Sequence, residues 1–314
     1  MKAIVDRTPE KIDLPNVAER RQVHLVNPAA CGGKHAALAK KLAEKTGGEV
    51  ILSEYAGFAE DFAAELFTKD RFAHLVVYGG DGTICETVNG IMKSGNNHTA
   101  SFSVIPMGSG NDFSAYANDG AGFKKAELQH LDLCRANDRY FINVMNIGFD
   151  CNVVYRTLKL KNNPFIRGKM KYIAGLAEEL IFKKAISAKI SVDNGVEVES
   201  SVLLNLCANG RFYGGGFAAA PLAELKDGLM DVVTVKDITR REFIGLVGDY
   251  KKGTFVNPDG SVKERFEDIL MYRRCREYRV SGIDLFCIDG EIVKPEDGSV
   301  TVKCEKEAIW FAAL

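Results

Sequence analysis

Along the first third of the chain, short apolar runs alternate with stretches of helical period. Residues 22–26, 49–53, 73–78 and 102–105 read as strands, and the unbroken apolar run 73–78 is the kind buried on both faces. Residues 34–45 read as a helix with Ala37, Leu38 and Leu42 on one face, and 59–69 as another. Ile84, Val88, Ile91 and Met92 recur at helical spacing as well. This alternation predicts an α/β unit: a parallel sheet with helices on both faces.

The pattern changes near Arg139. Strand-like runs follow at 140–146, 188–192, 202–208, 230–235, 278–280, 284–288 and 300–303. Asp193-Asn194-Gly195 separates two runs in the manner of a hairpin turn. Two helices are expected among them, near 169–184 and 239–251. The chain therefore divides into an α/β domain over 1–135 and a β-rich, sandwich-like domain over 136–314, with residues 1–21 as an extension. Trp310 is expected in the core.

Three glycine-bearing turns follow three strands of the first domain. They are Asn27-Pro28-Ala29-Ala30-Cys31-Gly32-Gly33, Gly79-Gly80-Asp81-Gly82-Thr83 and Pro106-Met107-Gly108-Ser109-Gly110-Asn111-Asp112. In a parallel sheet such turns open on one edge, where ligands bind. Glycines let the backbone approach an anion, and the free N–H groups of the next helix attract it. The familiar nucleotide patterns fail. Gly33-Lys34 is followed by His35 rather than Ser or Thr, and Cys85 and Phe113 stand where a dinucleotide turn needs its third glycine. Taken singly, each turn also fits a plain strand–helix connection, with Thr83 or Asp81 as a helix cap.

Taken together, the three turns resemble the diacylglycerol kinase catalytic-domain family, which includes bacterial lipid kinases and the sphingosine and ceramide kinases. Asn146-Ile147-Gly148-Phe149-Asp150, Gly214-Gly215-Gly216, Asp227-Gly228-Leu229-Met230-Asp231-Val232 and Asp289-Gly290-Glu291 continue the resemblance in the family's order, from about Val23 to the C-terminus. Ser109 keeps a hydroxyl where bacterial members often carry threonine, and Ala30-Cys31 lacks the serine common in the first turn.

The resemblance implies an ATP- and Mg2+-dependent lipid kinase with its active site in the cleft between the domains. Nucleotide contacts fall on Asn27, Pro28, Ala29, Ala30, Cys31, Ser53, Gly79, Gly80, Asp81, Gly82, Thr83, Gly108, Ser109, Asn111 and Asp112. A carboxylate beside phosphates repels them unless a metal intervenes, so Asp81 is expected to act through Mg2+. Glu291 is the expected general base, taking the proton of a lipid hydroxyl as it attacks. Without the resemblance, Asp289-Gly290 reads first as a hairpin turn. A structural Mg2+ is implied at Asp227 and the carbonyls near Glu224 and Leu229, with Asp132 linked through water. Diacylglycerol is the first choice of acceptor. An NAD kinase-like enzyme shares the Gly-Gly-Asp-Gly loop, and a non-catalytic nucleotide- or lipid-binding relative is the other alternative.

Composition narrows the setting. The 314 residues carry 41 basic and 42 acidic side chains, so no global field favours nucleic acid. Eight scattered cysteines form no C-x-x-C pair, which points to a reducing cytoplasm rather than a zinc or disulfide scaffold. No signal peptide or apolar span is evident, so a lipid substrate must be reached from the inner membrane surface. Lys159, Lys161, Arg167, Lys169 and Lys171, interleaved with Leu158, Leu160, Pro164 and Phe165, suit anionic headgroups or a solvated loop. An exposed sheet edge allows a homodimer.

Overall fold

Strands β1 (Gln22–Val26), β2 (Glu49–Leu52), β3 (His74–Gly79) and β4 (Ser101–Pro106) lie in the order β4, β3, β1, β2, all parallel. The computed structural model describes residues 14–119, 122–159, 179 and 184–314. Every residue of β3 is buried, as its unbroken apolar run requires. Helix α1 (Ala36–Thr46) covers one face, over Val26, Val50, Val76 and Tyr78. Helices α2 (Phe58–Lys69), α3 (Asp81–Lys93) and α4 (Asp112–Asp119) contribute to the larger core on the other, which includes Phe67, Ile84, Val88 and Phe113.

The helical period of α1 was expected correctly, but its phase is different. Ala39 and Ala43 are buried, while Leu38 and Leu42 are 52% and 37% exposed. Two alanines one turn apart let the helix lie close on the sheet, and close approach turns the bulkier leucines outward.

The second half is β-rich. Strands β5 (Gln129–Ala136) and β6 (Arg139–Phe141) form a hairpin, and β7 (Val144–Gly148) leads into α5 (Phe149–Lys159). Then come β8 (Ile186–Val192), β9 (Val198–Ala208), β10 (Met230–Lys236), α6 (Arg240–Lys252), β11 (Leu270–Cys275), β12 (Glu277–Ser281), β13 (Phe286–Ile288), β14 (Glu291–Val293) and β15 (Ser299–Phe311). Their pairings with one another are antiparallel. Between β8 and β9, Asp193 and Asn194 both take positive φ, as a two-residue hairpin turn demands. Helix α6 begins with a capping box from Thr239 and Glu242. One apolar cluster lies under α5 and α6, and another fills the interior of the curved strands.

Three expectations need correction here. Strand β5 and helix α5 are regular elements where none was assigned. The single cut at 135/136 does not hold at the chain's end. The tail of β15 pairs in parallel with β4, at Trp310–Ser101 and Phe311–Phe102, and Ala308, Ile309, Phe311 and Ala313 belong to the first domain's core. Trp310 itself is only half-buried. Its ring packs at a tilt of 32° against His130 with centroids 3.7 Å apart, and its indole N–H donates to the His98 carbonyl. Most of the helix expected near 169–184 and of the basic stretch 159–171 lies outside the described residues.

Candidate active site

The three glycine turns meet at the carboxyl edge of the parallel sheet. The amide N–H of Asn27, just after β1, donates to Tyr78 O of β3, and Met107 N, just after β4, donates to Gly79 O. Gly80 and Gly108 touch back to back. A Cβ on Gly108 would stand 2.5 Å from Gly80 Cα, and one on Gly80 would stand 2.9 Å from Gly108 Cα. Gly79 is packed against Thr83, whose side chain lies 2.6–2.9 Å from where a Cβ would be. Gly82 is different: it is exposed, with nothing within 4 Å of a Cβ position. It sits in the first turn of α3, where Gly80 supplies no side-chain cap. That is where a phosphate can reach free backbone N–H groups.

Several of the expected nucleotide side chains are used to build the edge. Asn27 donates from Nδ2 to Thr83 Oγ1 at 2.8 Å and accepts from Ala29 N. Pro28 follows it in the turn, and Ala30, Cys31 and Gly32 continue as a short 3-10 turn. Asn111 takes φ 60° and closes its own loop, accepting from Gly108 N and donating to Gly108 O. Asp81 caps a second helix: its carboxylate accepts the Asp112 and Phe113 N–H groups at the start of α4, at 3.2 and 3.1 Å. Asp112 in turn accepts from Gly215 N and Gly216 N, at 2.9 and 2.7 Å. This clasp gives the triglycine loop of the β-rich half a physical role. Ser109 is exposed, and Ser53, half-buried, follows β2 with its N–H on Val26 O.

The opposite wall comes from the β-rich half. Asp289 and Gly290, at φ 44° and 92°, form the turn between β13 and β14. The hairpin reading of these residues therefore holds in the backbone. Asp289 also collects the N–H groups of Ile142, Asn143 and Val144, at 2.9, 3.1 and 2.8 Å. Burial pushes its carboxyl up to about 7, with those N–H groups opposing and the Asp81 charge adding to the rise. Glu291 Oε2 accepts from Arg139 Nη2 at 3.0 Å, and Arg139 Nη1 reaches Glu60 of α2 at the same distance. Tyr140, next to Arg139 on β6, donates its N–H to Asn89 Oδ1 of α3 and accepts from Asn89 Nδ2, at 3.0 and 2.9 Å. Glu291 is thus tied, through Arg139 and β6, to the helix that begins at the central glycine loop.

The sequence divides between two family models along this geometry. Residues 21–140 match the diacylglycerol kinase catalytic domain, and residues 143–302 match the YegS C-terminal NAD kinase beta sandwich-like domain. The chain belongs to the diacylglycerol kinase catalytic-domain family. A family relative in Shewanella frigidimarina, named "Probable lipid kinase YegS-like", is 32% identical over 180 residues, covering 54% of this chain and 57% of that protein. A relative of the same name in Pseudomonas putida is 28% identical over 214 residues, covering 65% and 69%. The chain thus spans little more than half the length of the first of these relatives. A solved diacylglycerol kinase structure from Bacillus anthracis shares the family fold, with a TM-score of 0.66, 19% identity, and coverage of 94% of this chain and 97% of that one.

The structural-metal position that the family resemblance implies has a donor set already in use. Asp132 accepts Gly228 N at 2.6 Å on one oxygen and Glu307 N at 2.7 Å on the other. Asp227 accepts Leu229 N at 2.9 Å and forms an ion pair with Arg274. Glu224 is exposed on the same loop. Among the described residues, no three His, Cys, Asp or Glu side chains converge as a metal shell. These residues do not fit a resident structural ion.

Arg139, Asp289 and the clasp from Asp112 to Gly215 were not assigned roles from sequence. A signal existed for two of them: a triglycine run and an Asp-Gly turn both mark backbone that something must hold. Arg139 left none, because its partners stand 79 and 152 residues away. Among the described residues, no helix is long and apolar enough to cross a membrane.

Proposed function

We propose that this chain transfers the γ-phosphate of ATP, as its Mg2+ complex, to a lipid hydroxyl, with diacylglycerol the first acceptor. The observation that supports the reading is the chain of bonds from Glu291 through Arg139 and its neighbour Tyr140 to α3. In this reading a carboxylate of one domain serves a phosphate bound at the open glycine loop of the other. MgATP, when bound, supplies the electrophilic phosphoryl group.

The chain's own residues do the rest. The first-turn N–H groups at Gly82 and Thr83 bind phosphate oxygens, and the open space at Gly82 lets them approach. Asp81 holds the ion's side of the phosphates while its bonds to Asp112 N and Phe113 N keep it in place. No shell of three protein ligands is needed if the ion arrives on the nucleotide. Glu291 takes the acceptor's proton, with Arg139 fixing its orientation through Oε2. Asp112 and the loop Gly214–Gly216 hold the two domains in register across the cleft.

The test is a phosphorylation assay with Mg2+ and ATP against a lipid panel in mixed micelles, read by mass spectrometry, with NAD alongside. Phosphatidic acid is the expected product. Phosphorylated NAD would favour the soluble-substrate reading. Nucleotide binding with no phosphorylated product would favour a non-catalytic relative.

A further inference from the structure

We infer that Arg274 takes the place of a structural divalent cation, holding the loop 224–229 to the β-rich domain with a guanidinium instead of Mg2+. The inference concerns only that loop and stands whether or not the chain is a lipid kinase. It leaves the ion carried by the nucleotide untouched.

Three observations support it. First, all four carboxylate oxygens of Asp132 and Asp227 already accept donors from the protein. Mg2+ demands six oxygens in near-ideal octahedral geometry and gives up water reluctantly. A directly bound ion at Asp227 would have to replace the guanidinium of Arg274 or share an oxygen with it, cation beside cation.

Second, Arg274 is held by strand register. It lies on β11 directly across from Asp231 on β10. Its Nε stands 3.4 Å from Asp231 Oδ1 while its Nη2 pairs with Asp227. Asp231 is fully buried and also accepts from the Tyr272 hydroxyl. One arginine thus ties the loop to a buried carboxylate on the neighbouring strand, and its planar fork suits two carboxylates better than an ammonium would.

Third, protein cations already stand against the three aspartates, although Asp231 Oδ2 is buried without a hydrogen-bond donor. Asp132, Asp227 and Asp231 face Arg274, Lys306 and Arg211. The aliphatic part of Lys306 lies 3.0–3.4 Å from a Cβ position on Gly228, and its charge acts on Asp132. Arg211 acts on Asp231 and donates to Ala223 O at the foot of the loop. A divalent ion added here would meet three cations, and the exposed Glu224 is the loop's remaining carboxylate.

The experiment is thermal unfolding of the nucleotide-free protein in EDTA and in MgCl2, with a parallel Mn2+ titration followed by electron paramagnetic resonance. The natural chain is expected to melt at the same temperature in both buffers. Arg274→Met should lower the melting temperature by about 5 °C, because it leaves carboxylates unpaired. Adding Asp227→Asn to that variant should recover part of the loss. A natural chain that loses stability in EDTA and regains it in Mg2+ overturns the inference. So does Mn2+ binding to the nucleotide-free chain that Asp227→Asn abolishes. If Arg274→Met does not fold, the EDTA comparison and the Mn2+ titration on the natural chain still decide.

Discussion

Arg139 donates from Nη2 to Glu291 Oε2 at 3.0 Å, and this bond joins the hairpin between β5 and β6 to the turn that carries the proposed base. The same guanidinium holds Glu60 on α2. Glu291 is therefore aimed by a residue that is anchored to the first domain. If it is the base, Glu291→Gln should lower kcat by at least about 100-fold, and Asp81→Ala should do the same through the ion. Arg139→Gln should cost roughly tenfold in kcat with little change in nucleotide affinity, and Arg139→Lys should cost less. Near-normal turnover in Glu291→Gln would remove the base assignment.

The glycines of the central loop separate packing from ligand approach. Gly108→Ala would drive a methyl to 2.5 Å from Gly80 Cα, so overpacking should destabilise the fold by about 1–3 kcal/mol. Gly82→Ala meets nothing within 4 Å and should leave stability nearly unchanged. It should still weaken nucleotide binding, measured by calorimetry, because the methyl occupies the space left for phosphate. Unimpaired binding by Gly82→Ala would move the phosphates elsewhere on the edge.

Asp112 tests the clasp between the domains. Its carboxylate, 8% exposed, accepts two backbone N–H groups of the triglycine loop. Charge-assisted bonds of this kind contribute about 1.5–3 kcal/mol each, so Asp112→Ala should cost about 3 kcal/mol in urea unfolding. Burial pushes the Asp112 carboxyl up, with the two N–H groups opposing. Asp112→Asn should lose less than Asp112→Ala, since one acceptor oxygen remains.

Asp150 gives a pH signature. Burial lifts its carboxyl to about 6, with the hydrogen bond from the Tyr213 hydroxyl opposing the rise. The unfolded value is about 3.9. Between these values the folded chain keeps a proton that the unfolded chain has released. The group's contribution to stability therefore falls as pH rises from about 4 to about 6, then levels. Asp150→Asn cannot titrate. The stability of the variant relative to the natural chain should rise across that window, by on the order of 3 kcal/mol. A flat difference, measured by denaturant unfolding at a series of pH values, would remove the assignment.

Much of the fold was legible in the chain because it rests on local periodicity. The apolar runs at 22–26 and 73–78 and the helical spacing after Thr83 depend on near neighbours. So do the turns at Asp193-Asn194 and Asp289-Gly290, where a positive φ selects the residue types. The glycine turns could be placed on one sheet edge for the same reason, since parallel strands put their following loops together. Tertiary structure decided the phase of α1, the return of β15 to β4, and the partners of the polar site residues. Asp112 meets Gly215 across 103 residues and Arg139 meets Glu291 across 152. Spacing along the chain encodes which face a residue takes within its own element. It does not encode which distant donor fills a carboxylate, and at Asp227 that donor is an arginine on a neighbouring strand.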